Sequence, residues 1–261
     1  MQLGLDGRLT LVTGGSKRIG YACAQLFAAE GARVVIVSRE PEHLQAAVTE
    51  LATHGKSVAM YACDLRDAEA AGRMVAAVEA DVGPIDILVN SAGAAKRYAP
   101  ETLTPQAWHD TMDAKYFTTM HVLDPVLKRM AARGRGAVVN IIGQGGKVAG
   151  IHHIPGGAAN SAIMLATAGL AHAYARQGIR INAINPGATM TGRVREVLRL
   201  EAKQQGITQD EALARAQARI PLGRFARPED IARMAAFLAS DQASYVTGAI
   251  IPMDGGSNPV I

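Results

Sequence analysis

The chain has 261 residues, with 27 Lys and Arg against 23 Asp and Glu, a formal charge of +4, 49% hydrophobic residues, only 4% aromatic ones and 27 glycines. High hydrophobicity with low net charge excludes a disordered chain, and the length suits one large α/β domain. Its two cysteines, Cys23 and Cys63, provide neither a disulfide framework nor a CxxC metal or redox motif, which fits a reducing, cytoplasmic setting.

In chain order, β-branched runs predict strands at 9–13 (LTLVT), 33–38 (RVVIVS), 57–62 (SVAMYA), 85–90 (IDILVN), 136–142 (GAVVNII), 179–185 (IRINAIN) and 248–253 (GAIIPM). Helical patterns lie between them near 18–30, 41–54, 67–82, 105–133, 157–177 and 228–239. Strands that read as continuous apolar runs, separated by helices, indicate a parallel sheet covered on both faces. With right-handed crossovers this is a single doubly wound, Rossmann-type α/β domain over residues 1–261 with about seven parallel strands. The charged segment 192–222 interrupts the alternation beyond the sixth strand and reads either as a substrate-covering lid or as a solvated helix pair. No apolar run approaches the ~18 residues of a membrane span, and the opening MQLGLDGRLTLVTGG lacks a basic leader, so no membrane or targeting segment is expected. The densest basic stretch, Lys128 to Arg135, reads as a helix C-terminus. With few aromatics to stack on bases, nucleic acid is not an expected partner.

The first predicted strand runs into Gly14-Gly15-Ser16-Lys17-Arg18-Ile19-Gly20 and then a helix, an arrangement that lets backbone and helix N-terminus approach a pyrophosphate. After later strands come Asp64-Leu65, Asn90-Ser91-Ala92-Gly93, Asn185-Pro186-Gly187 with Thr189 and Thr191, and Asp254-Gly255-Gly256. Together these resemble the classical short-chain dehydrogenase/reductase family, in a form similar to 3-oxoacyl-carrier-protein reductases, over essentially the whole chain. The resemblance implies that Asp64 and Leu65 frame an adenine, that Asn90, Ala92 and Gly93 pass beside a ribose, and that Pro186, Gly187, Thr189 and Thr191 hold the nicotinamide end. It also implies a homodimer or homotetramer built on the helices at 105–133 and 157–177. An NAD site usually carries an acid at the end of the second strand. Here Ser38-Arg39 stands there, with Lys17 and Arg18 in the glycine loop, and these cations would neutralise a 2′-phosphate, so NADP(H) is expected over NAD(H). Arg18 departs from the glycine that many family members have there.

A classical member works with an Asn, a Ser, and a Tyr followed four residues later by a Lys. Counting from Trp108 and from the end of GAVVNII, the resemblance places these at Lys115, Gly143, Gly156 and Asn160, so all four expected side chains are replaced. The Asn and Lys positions read as exchanged, with Lys115 near the missing lysine's location and Asn160 keeping a ribose hydrogen bond. The plainer reading of Lys115 is a helix-surface lysine. His153 and its neighbour His152 are the candidate proton carriers, since an imidazole titrates near neutrality, although an exposed or capping role suits either. Tyr98 and Gln144 are weaker candidates. Two glycines in place of Ser and Tyr predict an unusually open pocket. The resulting expectation is an NADP(H)-binding oxidoreductase acting on a small alcohol or carbonyl substrate with altered acid/base groups. The alternative is a non-catalytic relative that senses nucleotide or serves as an inactive partner subunit.

Overall fold

The computed structural model describes residues 2–53, 58–94 and 96–259. Seven strands, β1 (Leu9–Thr13), β2 (Arg33–Ser38), β3 (Val58–Ala62), β4 (Ile87–Asn90), β5 (Gly136–Ile141), β6 (Ile179–Pro186) and β7 (Ile250–Met253), form one sheet in the order β3-β2-β1-β4-β5-β6-β7. Every pairing is parallel. The helices are α1 (Arg18–Ala29), α2 (Pro41–Thr53), α3 (Ala68–Asp81), α4 (Pro105–Met112), α5 (Thr118–Arg133), α6 (Ile154–Tyr174), α7 (Gly192–Gln205), α8 (Gln209–Ala218) and α9 (Pro228–Ala239). Successive strand residues point to opposite faces. Val12, Ile36 and Val89 therefore pack under α1, α2 and α9, while Leu11, Val35 and Leu88 pack under α3 and α5. This is the doubly wound architecture expected from the apolar runs, with its switch point between β1 and β4.

The differences lie at element ends. β4 starts at Ile87 rather than Ile85, because the Asp86 carboxylate accepts from Leu9 N–H at 3.1 Å. α6 starts at Ile154, earlier than 157, with Pro155 in its first turn where a missing N–H costs nothing. His54 and Ser57, at the ends of the predicted 41–54 helix and 57–62 strand, lie outside the described residues. The predicted helix 105–133 is continuous in space but changes type, since a π-turn over Asp113–Phe117 joins α4 to α5. Thr118 Oγ1 donates to Asp113 O at 2.8 Å and Thr119 Oγ1 to Lys115 O at 2.9 Å, so two hydroxyls occupy carbonyls in the widened turn. Segment 192–222 forms α7 and α8 around a small core of Leu198, Ile220 and Phe225, with Thr208 and Glu211 making a capping box. No helix among the described residues is long and apolar enough to cross a membrane.

A buried polar line crosses the carboxyl edge of the sheet. Thr13 Oγ1 donates to Asn90 Oδ1 (3.3 Å), Asn90 Nδ2 to Asn140 Oδ1 (3.0 Å), Asn140 Nδ2 to Thr167 Oγ1 (2.9 Å), and Thr167 Oγ1 to Ile163 O (2.7 Å). It ties β1, β4 and β5 to α6. Thr167→Val keeps the shape but strands the Asn140 amide, and is expected to lower unfolding free energy by about 1–3 kcal/mol in urea denaturation. A variant as stable as the parent would show that the line carries no such weight.

Candidate functional site

At the end of β1 the chain turns through Gly14 with φ +66°, and a Cβ there would lie 2.9 Å from Ala92 N, so only glycine lets the two loops approach this closely. Thr13 Oγ1 receives the Ser91 and Ala92 N–H groups at 3.1 and 3.2 Å, fixing the second loop against the first. Ser16 is half-buried, Ile19 packs into the core, and Gly20 is buried against Gly14. α1 then begins with neither a side-chain cap nor an acidic residue in its first turn. Its leading N–H groups and the positive end of its dipole remain available to an anion. Arg18 has φ +56°, the one non-glycine residue at positive φ among the described residues. For an L-residue that conformation costs roughly 1–2 kcal/mol.

The cations cluster beside this turn. Lys17 Nζ lies 2.8 Å from His43 Nε2 in the first turn of α2. His43 was not among the expected residues; its place just after β2, beside Ser38-Arg39, is the signal that would have found it. Arg39 and Arg66 both act on Asp64 and hold its carboxyl below the usual carboxylate range, with the Arg66 hydrogen bond the larger cause. Arg66 Nε lies 3.0 Å from both Asp64 oxygens. Leu65 is buried, and its carbonyl lies 3.0 Å from His121 Nδ1. This set fits a phosphorylated dinucleotide: an uncapped helix N-terminus, a glycine turn without room for side chains, and Lys17, Arg18 and Arg39 near its rim.

Along the same edge, Lys115 and Asn160 line one cavity of about 40 Å³ together with Asn90, Ala92, Gly93 and Asn140. That is space for water-sized groups only. Asn160 is 1% exposed, and neither Nδ2 nor Oδ1 has a partner among the described residues. Gln144 Oε1 and Asn185 Oδ1, also at the carboxyl ends of β5 and β6, are buried without partners too. Buried polar atoms are nearly always paired. Their gathering at one sheet edge marks a place built to receive polar groups. Gln144 reaches the loop after β6, with Oε1 2.7 Å from where a Cβ on Gly187 would stand. Pro186 is buried at the end of β6, Thr189 Oγ1 donates to Gly187 O at 3.2 Å, and Thr191 immediately precedes α7.

The open pocket expected above Gly143 and Gly156 is not found. A Cβ on Gly156 would lie 2.5 Å from His153 Nε2 and 2.7 Å from Nδ1, and one on Gly145 3.0 Å from His153 Cδ2. The imidazole lies across the volume that any side chain at 156 would need. A Cβ on Gly143 would lie 3.2 Å from Asn160 Nδ2, so the amide fills part of that space as well. Burial pushes the His153 imidazole below its ordinary value of 6.5, and Lys115 and Arg97 add to the depression. Tyr98 N donates to His152 O at 3.1 Å, which joins the loop after β4 to the loop after β5. Lys115, His153 and Asn160 thus share one region, and His152 stays exposed at its rim. Among the described residues no group of three or more His, Cys, Asp or Glu side chains is placed to hold a metal ion.

Residues 14–258 match the family model described as enoyl-(acyl carrier protein) reductase. The chain is 36% identical to D-threitol dehydrogenase of Mycolicibacterium smegmatis, over 97% of this chain and 93% of that one. It is 33% identical to gluconate 5-dehydrogenase of Gluconobacter oxydans, over 97% and 95%. Among solved structures, L-sorbose reductase of Gluconobacter frateurii in complex with NADPH and L-sorbose superposes with a TM-score of 0.94 at 28% identity, over 100% of both chains.

Two measurements probe this geometry. Gly156→Ala forces a methyl group into the imidazole and is expected to cost about 1–3 kcal/mol in thermal or urea unfolding, with much of the loss recovered in the His153→Ala/Gly156→Ala double variant. Equal losses in the single and double variants would place the ring elsewhere. By NMR, the His153 titration midpoint should lie below 6.5 and rise in Lys115→Met. A group with a depressed folded pKa binds fewer protons folded than unfolded, so its contribution to stability is present above 6.5 and is lost as pH falls through the depressed midpoint.

Proposed function

We propose, from the premise that this chain belongs to the short-chain dehydrogenase/reductase family, that it is an NADP(H)-dependent oxidoreductase of small polyhydroxylated alcohols and ketones whose usual Asn, Ser, Tyr and Lys are replaced. The named relatives act on D-threitol, gluconate and L-sorbose, and the last is complexed with NADPH, which supports both the substrate class and the cofactor. Gly14, Ser16, Lys17, Arg18, Ile19 and Gly20 would hold the pyrophosphate, with Lys17, Arg18, Ser38 and Arg39 toward a 2′-phosphate. Asp64 and Leu65 would frame the adenine, Asn90, Ala92, Gly93 and Asn160 the ribose, and Pro186, Gly187, Thr189 and Thr191 the nicotinamide end. When bound, the nicotinamide supplies or accepts the hydride.

The observation that carries the reading is that Lys115 and Asn160 line one cavity with the strip Asn90–Gly93, while His153 lies beside Asn160 across Gly145. In this reading His153 moves the proton: its neutral imidazole takes one from a substrate hydroxyl, and its protonated form returns one to a carbonyl oxygen. The Lys115 ammonium favours negative charge developing on that oxygen. The Asn160 amide, without a partner among the described residues, orients a hydroxyl. The α7–α8 excursion starts directly after Thr191 and serves as the substrate cover. Trp108, Phe117 and Leu165, exposed on the α4–α6 face, suit packing against a second copy.

Thermal shift with NADPH, NADP⁺, NADH and NAD⁺ tests the nucleotide site, a ligand at 100 times its Kd adding about 2.7 kcal/mol. NADPH should stabilise most, and NADH stabilising as strongly would overturn the cofactor preference. Turnover of alditols and ketoses then tests the chemistry, with His153→Ala expected to lower kcat about 10²-fold or more and Lys115→Ala expected to lower it as well. Nucleotide binding without turnover of any member of the panel would overturn the catalytic reading in favour of a nucleotide sensor.

A further inference from the structure

We propose that His43 is a positioning residue for cofactor choice: it holds Lys17 across the ends of β1 and β2, where the 2′-phosphate of NADP(H) would be met. The inference rests on the NADP(H) reading above and adds a residue that lies outside both the glycine turn and the end of β2. Lys17 is the last residue before α1, with extended backbone (φ −151°, ψ 157°). The turn that it ends is pressed onto β2: Gly14 N donates to Val37 O at 2.7 Å, and a Cβ on Gly15 would lie 2.6 Å from Ile36 Cγ2. α2 starts directly beyond β2, with Leu44 N donating to Glu40 O at 3.2 Å. The Lys17 side chain therefore leaves the start of α1 and ends on the first turn of α2, its Nζ 2.8 Å from His43 Nε2. In a doubly wound sheet the end of the second strand is where the adenosine ribose and its 2′ substituent lie.

The chemistry of the pair fixes its protons. An ammonium only donates, so Nε2 accepts and the imidazole is neutral, with its own N–H on Nδ1. One ammonium N–H is used, and the others stay free for an anion. Among the described residues Lys17, Arg18 and Arg39 make no ion pair. Asp64, the acid after β3, is taken by Arg66, whose Nε lies 3.0 Å from both of its oxygens. Glu40 and Glu42 lie within three residues of His43, yet the partner of Lys17 is the neutral imidazole. That choice matters to a phosphate. A free lysine gives up rotamer freedom when it binds, and a tie formed beforehand removes part of that cost. A carboxylate at position 43 would make the same tie but repel the phosphate, whereas an imidazole ties the ammonium and leaves its charge intact. His43 is exposed, so little of the fold depends on it.

The probes are adenosine 2′,5′-bisphosphate and AMP, which differ only in the 2′-phosphate and need no turnover. Their Kd values are measured by calorimetry on the parent and its variants at fixed pH and ionic strength. The parent should bind the bisphosphate at least about tenfold more tightly than AMP. His43→Ala should weaken the bisphosphate about tenfold and AMP less than about twofold, with the unfolding midpoint of the free protein unchanged. His43→Gln, whose amide oxygen reaches close to the place of Nε2, should restore most of the affinity. His43→Glu, which ties Lys17 but adds a negative charge, should not. In Lys17→Met the bisphosphate is already weakened, and adding His43→Ala should change it no further. The inference is overturned if His43→Ala binds both probes as the parent does, if it weakens both equally, or if its effect persists in full beside Lys17→Met. A parent that binds the two probes equally overturns the NADP(H) reading itself, whereas 2′-phosphate selectivity indifferent to position 43 overturns this inference alone.

Discussion

Thr13, Asn90, Asn140 and Thr167 stand in one hydrogen-bonded line across the carboxyl edge of the sheet, and the groups on that edge take their positions from it. Thr13 is the register partner of Asn90, and Asn90 of Asn140, so the side chains meet only if three strands align without slippage. A one-residue slip would turn every side chain to the opposite face and leave amides buried among aliphatic residues. The line ends on Thr167, which bonds back to Ile163, one turn beyond Asn160. Strand register therefore sets where α6 lies, and α6 sets where the Asn160 amide lies.

Charge is distributed along the same edge according to access to water. Position 160 is almost fully buried and carries a neutral amide, while position 115, half-buried in the π-turn, carries an ammonium. The reverse placement would put the charge where desolvation is greatest. His153 follows the same logic: burial, with the charges of Lys115 and Arg97 adding to it, holds the imidazole toward its neutral form. At the other end of the edge, the uncapped start of α1 and its neighbouring lysine and arginines form a second electropositive region. The two regions are separated by the glycine-bounded strip from Asn90 to Gly93.

Much of this was legible in the chain itself. Strands buried on both faces leave uninterrupted runs such as RVVIVS, and 9–13, 33–38 and 228–239 match the observed element bounds. The glycine turn after β1 was legible because few residue types satisfy a close backbone approach. What escaped depends on contacts between distant segments. The volume above Gly156 reads as empty when residues are counted along the chain, whereas in space His153 folds back into it because Gly145 and Gly156 both lack side chains. The π-turn escaped because the apolar stripe of 105–133 continues on both sides of it. The meeting of the loops after β4 and β5 rests on backbone bonds such as Tyr98 to His152 that no local pattern announces.

The π-turn has a bearing on how such chains diverge. It buries none of its five residues fully, so packing places little demand on their identity. It does fix a count: one residue fewer between α4 and α5 would restore ordinary helical winding and swing Lys115 by about 100° around the axis. Such a deletion would leave composition, charge pattern and hydrophobic stripe almost untouched. In this stretch, chain length rather than residue type keeps the ammonium on the cavity, and a relative with a lysine in the matching column but a shorter turn would carry that lysine on another face.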